Sequence, residues 1–296
     1  MDHEPHSARY LNDTRDLWWN ADYLALIAAR TGLGEATRVL DCGAGLGHWT
    51  RTVARLAKNA DVIGLEREPA WVARASAGAP ARVSFCQGDV QALPFADGSF
   101  DVVTCQTLLI HLREPRSAVR EMVRVLRRGG RLLLCEPNNL AEGVARLCVL
   151  PSFDLDDVVA WLRLEATCEK GKHALGLGYN SLGEGLVGLL DPDAVDDVAA
   201  WNNDLCMVFA PGESAAARAA RPEIVEEQRM LADGGFTWAR DEALRYFCAG
   251  GGRDDEFEPL LARARRAWAC RIDALTRGTL SQNCGGLFYV VSARKR

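Results

Sequence analysis

The stretch VLDCGAGLGHWT, Val39 to Thr50, constrains this chain more than any other. An apolar run ends in an acid, and three glycines then alternate, Gly43, Gly45 and Gly47, before a helical pattern begins. Glycine reaches positive φ without steric penalty and has no Cβ to keep a ligand off the backbone. The loop opens into a helix whose first N–H groups have no intrahelical partner. A strand, bare turn and helix in that order belong to an open α/β sheet, where ligands sit at the carboxyl ends of the strands.

Downstream the pattern alternates. RVLDC is a first strand, and GHWTRTVARLAK a helix with Trp49, Val53, Leu56 and Ala57 on one face. ADVIGLE is a second strand, Pro69 opens a helix where its missing N–H does no harm, and ARVSFCQGD is a third strand. GSFDVVTCQTLL, after the turn at Ala96 to Gly98, is a fourth. PRSAVREMVRVLRRGG reads as a helix burying Ala118, Met122, Val125 and Leu126 and stopped by its double glycine; RLLLCEPNN is the fifth strand. Strands apolar on both faces make a parallel sheet covered on both sides, and right-handed crossovers make it doubly wound.

Ahead of this core, DLWWNADYLALIAARTGL places Leu17, Tyr23 or Leu24, and Ile27 at helical spacing, with Gly32 as the stop. After Asn139 the rhythm turns mostly helical. DDVAAWNND is a candidate sixth strand, Ala215 to Arg277 is helical around the glycine turn in CAGGGRDDEF, and GGLFYVVSARK has the β-branched and aromatic content of a last strand. That strand belongs to the sheet, so the helical stretch before it is an insertion.

The bulk numbers exclude several classes. With 48% hydrophobic and 25% charged residues over 296 positions, the chain is an ordinary globular protein. A net charge of −5, with arginines dispersed among acids, argues against a nucleic-acid partner. The ten cysteines never take C-x-x-C spacing, so no metal or disulfide scaffold is expected, and they read as small buried hydrophobes of a reducing cytosol. MDHEPHSARY lacks the layout of a signal peptide, and no run approaches the roughly 20 apolar residues of a membrane span. The cytoplasm is the expected location, with no membrane partner. Oligomeric state is not legible.

Two acids strengthen the loop signal. Glu66 ends the second strand about 20 residues after the loop, where a doubly wound fold places the acid that binds ribose hydroxyls. Asp89 in GDVQALPF brings a second carboxylate after the third strand. Together, RVLDCGAGLGHWT, GDVQALPF and REMVRVLRRGGRLLLCEP resemble the class I S-adenosylmethionine-dependent methyltransferases, specifically the ubiquinone/menaquinone-biosynthesis-type group. The resemblance covers Arg38 to Asn138 plus the final strand. It implies a Rossmann-like, doubly wound, mostly parallel seven-stranded sheet with an antiparallel last strand and helical lid insertions. It also implies that Asp41, Gly43, Ala44 and Gly45 line the methionine portion, with Gly47 close-packing the helix start. Glu66 and Arg67 would meet the ribose, Asp89 and Val90 the adenine, and Gln106 would lie near the reacting sulfur. S-adenosylhomocysteine would be the co-product.

The rival ligand is NAD(P), but its G-x-G-x-x-G fingerprint fails at position 48, which is His. A non-catalytic S-adenosylmethionine-binding protein is a second alternative. For methyl transfer to a small organic acceptor, His111 in LLIHL is the candidate base, against a reading in which it packs between strand and helix. Glu136 and Asn138 end the fifth strand and are candidate acceptor contacts, although a salt bridge accounts equally for Glu136. GKHALGLGYNSLGEGL brings His173, Tyr179 and Asn180 into a glycine-rich connection that suits a lid or a surface loop, with Tyr179 a candidate contact. Trp18, Trp19 and Tyr23 either wall the acceptor pocket or pack on the sheet. TCQT after the fourth strand is unlike the N-P-P-Y or Pro-Cys motifs of enzymes that methylate bases. The expected organisation is a helical lid at 1–36, a cofactor-binding core at 37–140, a substrate-side helical region with strand six at 141–280, and the last core strand at 281–296.

Overall fold

Five apolar runs become five parallel strands. The computed structural model describes residues 18–149, 153–204, 206–232 and 238–296. Strands β1 (Arg38–Cys42), β2 (Asp61–Glu66), β3 (Val83–Gln87), β4 (Phe100–Gln106) and β5 (Leu126–Pro137) pair in parallel; β9 (Phe288–Lys295) joins β5 antiparallel, and β6 (Val195–Asn202) joins β9 antiparallel, so that β9 alone runs against the other strands of this sheet. The order is β3-β2-β1-β4-β5-β9-β6. The chain leaves β1 toward β2 and β3 and returns to β4 on the other side, so the switch point lies between β1 and β4, where such sheets bind ligands.

Alternation along each strand feeds two cores. Leu40, Cys42, Val103, Cys105, Leu132 and Leu134 face α4 (Pro115–Val125), which contributes Ala118, Met122 and Val125. Val39, Val62, Val102, Leu133, Cys135 and Val290 face α1 (Ala21–Thr31) and α2 (His48–Leu56) through Tyr23, Ile27, Trp49 and Val53. Each such fully buried large side chain contributes about 1.5–3 kcal/mol. The expected stop of α1 is present, Gly32 at φ 68°. Leu17, expected on its face, lies outside the described residues.

Three expectations shift. The double glycine does not end α4; the helix stops at Val125 and Arg127 to Gly130 already belong to β5. The expected lid at 1–36 contains α1, which is built into the sheet's second core. Strand six also joins the sheet, so the chain divides into a sheet unit (through Pro137, with Leu182–Leu205 and Phe288–Arg296) and a helical unit (Asn138–Ser181 with Cys206–Leu287) instead of the simple 141–280 insertion. Hydrogen bonding to β9 is what draws β6 out of the helical stretch.

Helix α3 (Pro69–Ser76) completes the α-helices of the sheet unit, and the helical unit contains α5 (Asn139–Leu147), α6 (Leu155–Ala174), α7 (Ala215–Ala219), α8 (Pro222–Ala232), α9 (Arg240–Ala249) and α10 (Asp254–Arg277), plus the short antiparallel pair β7 (Met207–Phe209) and β8 (Gln282–Cys284). Trp161, Leu164, Trp238, Phe247, Phe257 and Leu261 form its main core. Helices α6 and α9 cross at backbone contact, because a Cβ on Gly171 would stand 1.7 Å from the Tyr246 carbonyl oxygen.

Candidate functional site

The glycine turn after β1 is tight and tied to β2. Gly43, Gly45 and Gly47 take φ of 73°, 54° and 85°, left-handed conformations that favour glycine. The N–H groups of Gly43 and Ala44 donate to the Leu65 carbonyl at 2.8 and 3.0 Å. Space is as restrictive as conformation: a Cβ on Gly43 would lie 2.6 Å from Leu108 Cδ1, and one on Gly47 would lie 2.6 Å from Phe85 Cζ. The expected close packing of Gly47 at the start of α2 is thus against Phe85 of β3.

Carboxylates surround this turn. Glu66 accepts from Gly45 N–H at 2.9 Å through Oε2, and from the N–H groups of Arg67 and Glu68 at 2.8 and 3.1 Å through Oε1. The side chain is therefore an anchor that fixes the loop against the end of β2, not a solvated strand end. Asp41 is 1% exposed; its Oδ2 accepts from the Thr50 hydroxyl at 2.6 Å, and its Oδ1 has no partner among the described residues. Burial pushes the Asp41 carboxyl up to about 7, with the Thr50 hydroxyl pulling the other way and Glu66's charge adding to the rise. An unpaired buried carboxylate oxygen is costly unless a donor meets it.

The other expected contacts divide. Gln106 at the end of β4 is buried, and its Nε2 has no partner among the described residues. Val90 is buried while Asp89 is exposed, its Oδ1 accepting from Gln91 N–H at 2.9 Å. Arg67 is exposed and donates to Glu68 at 3.2 Å. His111 is half-buried at the end of the short helix Leu109–His111.

Glu136 forms no salt bridge among the described residues. It is fully buried and accepts from the N–H groups of Leu108 and Leu109 at 2.9 and 2.8 Å, holding the turn after β4, and burial pushes it up to about 7. Oε1 thus has a structural role, while Oε2 has no partner among the described residues. Tyr23 is likewise a core residue, its hydroxyl donating to the Asn202 carbonyl at 2.7 Å. Trp19 is ringed by Tyr23, Trp49 and Phe288 at centroid distances of 6.1, 5.4 and 5.6 Å, the packing alternative.

Asn138 and Tyr179 fall in the helical unit. Asn138 caps α5, its Oδ1 accepting from Ala141 N–H at 2.9 Å. Tyr179 is half-buried with its ring edge-on to His173 at 6.4 Å.

Sequence reading passed over two supporting residues. Thr50, which orients Asp41, gave no signal beyond its place in the first turn of α2. Gly64 did give one: a glycine inside a strand marks a close approach, and a Cβ there would lie 2.5 Å from Phe85 and 2.9 Å from the Ala44 Cβ.

Residues 40–134 match a methyltransferase domain model. A ubiquinone biosynthesis O-methyltransferase of Xanthomonas oryzae pv. oryzae is 32% identical over 176 residues, covering 49% of this chain and 73% of that protein. The chain belongs to the class I S-adenosylmethionine-dependent methyltransferases. A demethylmenaquinone methyltransferase of Renibacterium salmoninarum is 34% identical over 125 residues, 42% of this chain and 52% of the relative. With the uncharacterised methyltransferase YcgJ of Bacillus subtilis, 40% identical, the chain spans 40% of the relative's length and 33% of its own. The fold is shared with a candidate methyltransferase of Bacillus halodurans C-125 at a TM-score of 0.50, 18% identity, 93% of this chain and 99% of the other. The domain match stays within the sheet unit. Among the described residues, no helix is long and apolar enough to cross a membrane.

Proposed function

We propose that this methyltransferase carries a methyl group from S-adenosylmethionine to a small organic acceptor, releasing S-adenosylhomocysteine. The observation that carries the reading is Asp41: a buried carboxylate with one unpaired oxygen, at the end of β1, beside a turn whose Cβ positions are sterically closed.

That donor set fits the cofactor. Asp41 offers Oδ1 to an ammonium group, and Gly43, Ala44 and Gly45 let the methionine portion approach the backbone. Glu66 is already fixed by three N–H donors and has acceptor capacity left for ribose hydroxyls, with Arg67 alongside. Val90 supplies an apolar surface for adenine, Asp89 a polar edge, and Gln106 Nε2 a donor beside the reacting end. When bound, the cofactor supplies an activated methyl group on a sulfonium. The protein's own work is then positioning and exclusion of water. His111 is the proposed base for an acceptor that must lose a proton. The relatives named for ubiquinone and menaquinone biosynthesis match 49% and 42% of this chain, so their acceptors are a first panel to assay rather than an assignment.

The test is calorimetric titration with S-adenosylhomocysteine and with NADPH. S-adenosylhomocysteine should bind, NADPH should not, and Asp41→Ala should weaken the former more than tenfold, about 1.4 kcal/mol. Unchanged affinity in the variant, or preference for NADPH, overturns the reading. Tight cofactor binding without transfer to any member of a broad acceptor panel favours a non-catalytic binder.

A further inference from the structure

Thr107, the residue after Gln106, takes φ 51°, a left-handed conformation that is rare for a β-branched side chain. Backbone strain of that kind persists only where its surroundings hold it. Two consecutive residues of β5 do so. The Thr107 N–H donates to the Cys135 carbonyl at 3.0 Å, and the N–H groups of Leu108 and Leu109 converge on Glu136 Oε1 at 2.9 and 2.8 Å. Without the Glu136 carboxylate, those last two N–H groups would lose their acceptor beside a wholly buried Leu109, and the turn would have to rearrange.

The turn leads to the cofactor seat. Leu108 fills the space that a Cβ on Gly43 would take, its Cδ1 only 2.6 Å from that position, and Gln106 immediately precedes the strained residue. Glu136 itself belongs to the opposite face of the sheet. Alternation puts it in the row of Leu132 and Leu134, which packs on α4, whereas Asp41 shares the row of Val39 and Gln106 that of Val102, on the face toward α1 and α2. The carboxylate therefore acts on the cofactor side through the turn.

We propose that Glu136 is a positioning residue for the methyl donor: it holds Thr107 left-handed, which sets Leu108 against Gly43 and aims Gln106, so that cofactor affinity depends on a carboxylate that does not touch the cofactor. This rests on the methyltransferase reading and extends it from the residues that line the seat to one that shapes it from behind. Reach, more than charge, is what the role demands. A glutamate side chain spans from β5 to both N–H groups, a glutamine offers an acceptor oxygen at the same place, and an aspartate is one methylene too short.

The test is calorimetric titration of the full chain with S-adenosylhomocysteine, with melting curves and circular dichroism spectra taken in parallel. Glu136→Ala should weaken binding about tenfold and Glu136→Asp about threefold, whereas Glu136→Gln should stay within about twofold of the unaltered protein. Adding Thr107→Gly to Glu136→Ala should restore about threefold, because glycine takes a positive φ without a clamp. A carboxylate that merely supports the fold would lower the melting temperature in Glu136→Ala and leave the affinity of the folded protein unchanged. One that acts through its charge would rank Glu136→Asp above Glu136→Gln. Either result overturns the proposal, as does the absence of rescue by Thr107→Gly. Should Glu136→Ala not fold, the order of Glu136→Asp and Glu136→Gln decides. If the unaltered protein does not bind S-adenosylhomocysteine at all, the methyltransferase reading fails, and the proposal with it.

Discussion

Both units bury carboxylates, but they hold them by different means. In the sheet unit, Glu66 rests on the N–H groups of Gly45, Arg67 and Glu68, and Glu136 on those of Leu108 and Leu109. In the helical unit, Asp157 is held by Arg263 and Arg266, and Glu227 by Arg146 and Arg271. Backbone donors come with the fold, whatever side chains surround them. Guanidinium donors must be encoded one by one. A fixed cofactor seat suits the first arrangement, and a unit free to vary suits the second.

The contrast can be broken most severely at Glu227. Glu227→Ala leaves buried Arg271, 4% exposed, without its carboxylate, and urea unfolding should register a loss of about 3 to 5 kcal/mol. Next comes Glu136. Its folded-state carboxyl is raised to about 7, so the native protein binds protons more readily than the unfolded chain, and stability from this group falls as pH climbs from the ordinary carboxylate range through 7. Glu136→Gln mimics the protonated form. Relative to the variant, the wild type should lose about 1 to 3 kcal/mol between pH 5 and 7.5, read from paired denaturation curves. A flat difference would mean that the backbone donors stabilise the anion fully.

Thr50→Val sharpens the comparison, because it removes a side-chain donor from a carboxylate in the unit where backbone donors prevail. Asp41 would lose its 2.6 Å bond, and S-adenosylhomocysteine affinity should drop about fivefold, roughly 1 kcal/mol, in calorimetry. Smallest of all is Arg163→Gln, which breaks an exposed pair with Glu256 and should change stability by less than about 1 kcal/mol.

Legibility in the sequence followed the same division. The alternation of apolar runs, the glycine turn and the acid ending β2 were readable because backbone geometry demands those residue types locally. Final strand and sixth strand were readable from composition, although their adjacency came only from β9 lying between β5 and β6. The backbone role of Glu136 was not readable for a physical reason: no pattern tells which N–H groups a carboxylate will meet, and those of Leu108 and Leu109 sit 28 and 27 residues away. The double glycine misled because Gly129 makes a left-handed kink, φ 74°, inside the entry to β5, and Gly130 there faces the Asp101 carbonyl too closely for a Cβ. Buried charge on α6 left no trace in its periodicity, since Glu165, Glu169 and Lys172 are buried alongside Trp161, Leu164 and Cys168.

The interposed strand has a bearing on synthesis. In the sheet order β6 adjoins β9 and nothing else, yet β9 is made about 85 residues later. At ribosomal speeds of roughly 5–20 residues per second, β6 spends about 4 to 17 s with both edges bare while most of the helical unit emerges. Any charge or bulge that blunts an edge would be useful during that wait, and β6 has both: Asp196 and Asp197, and a register shift between Asp196 and Ala199.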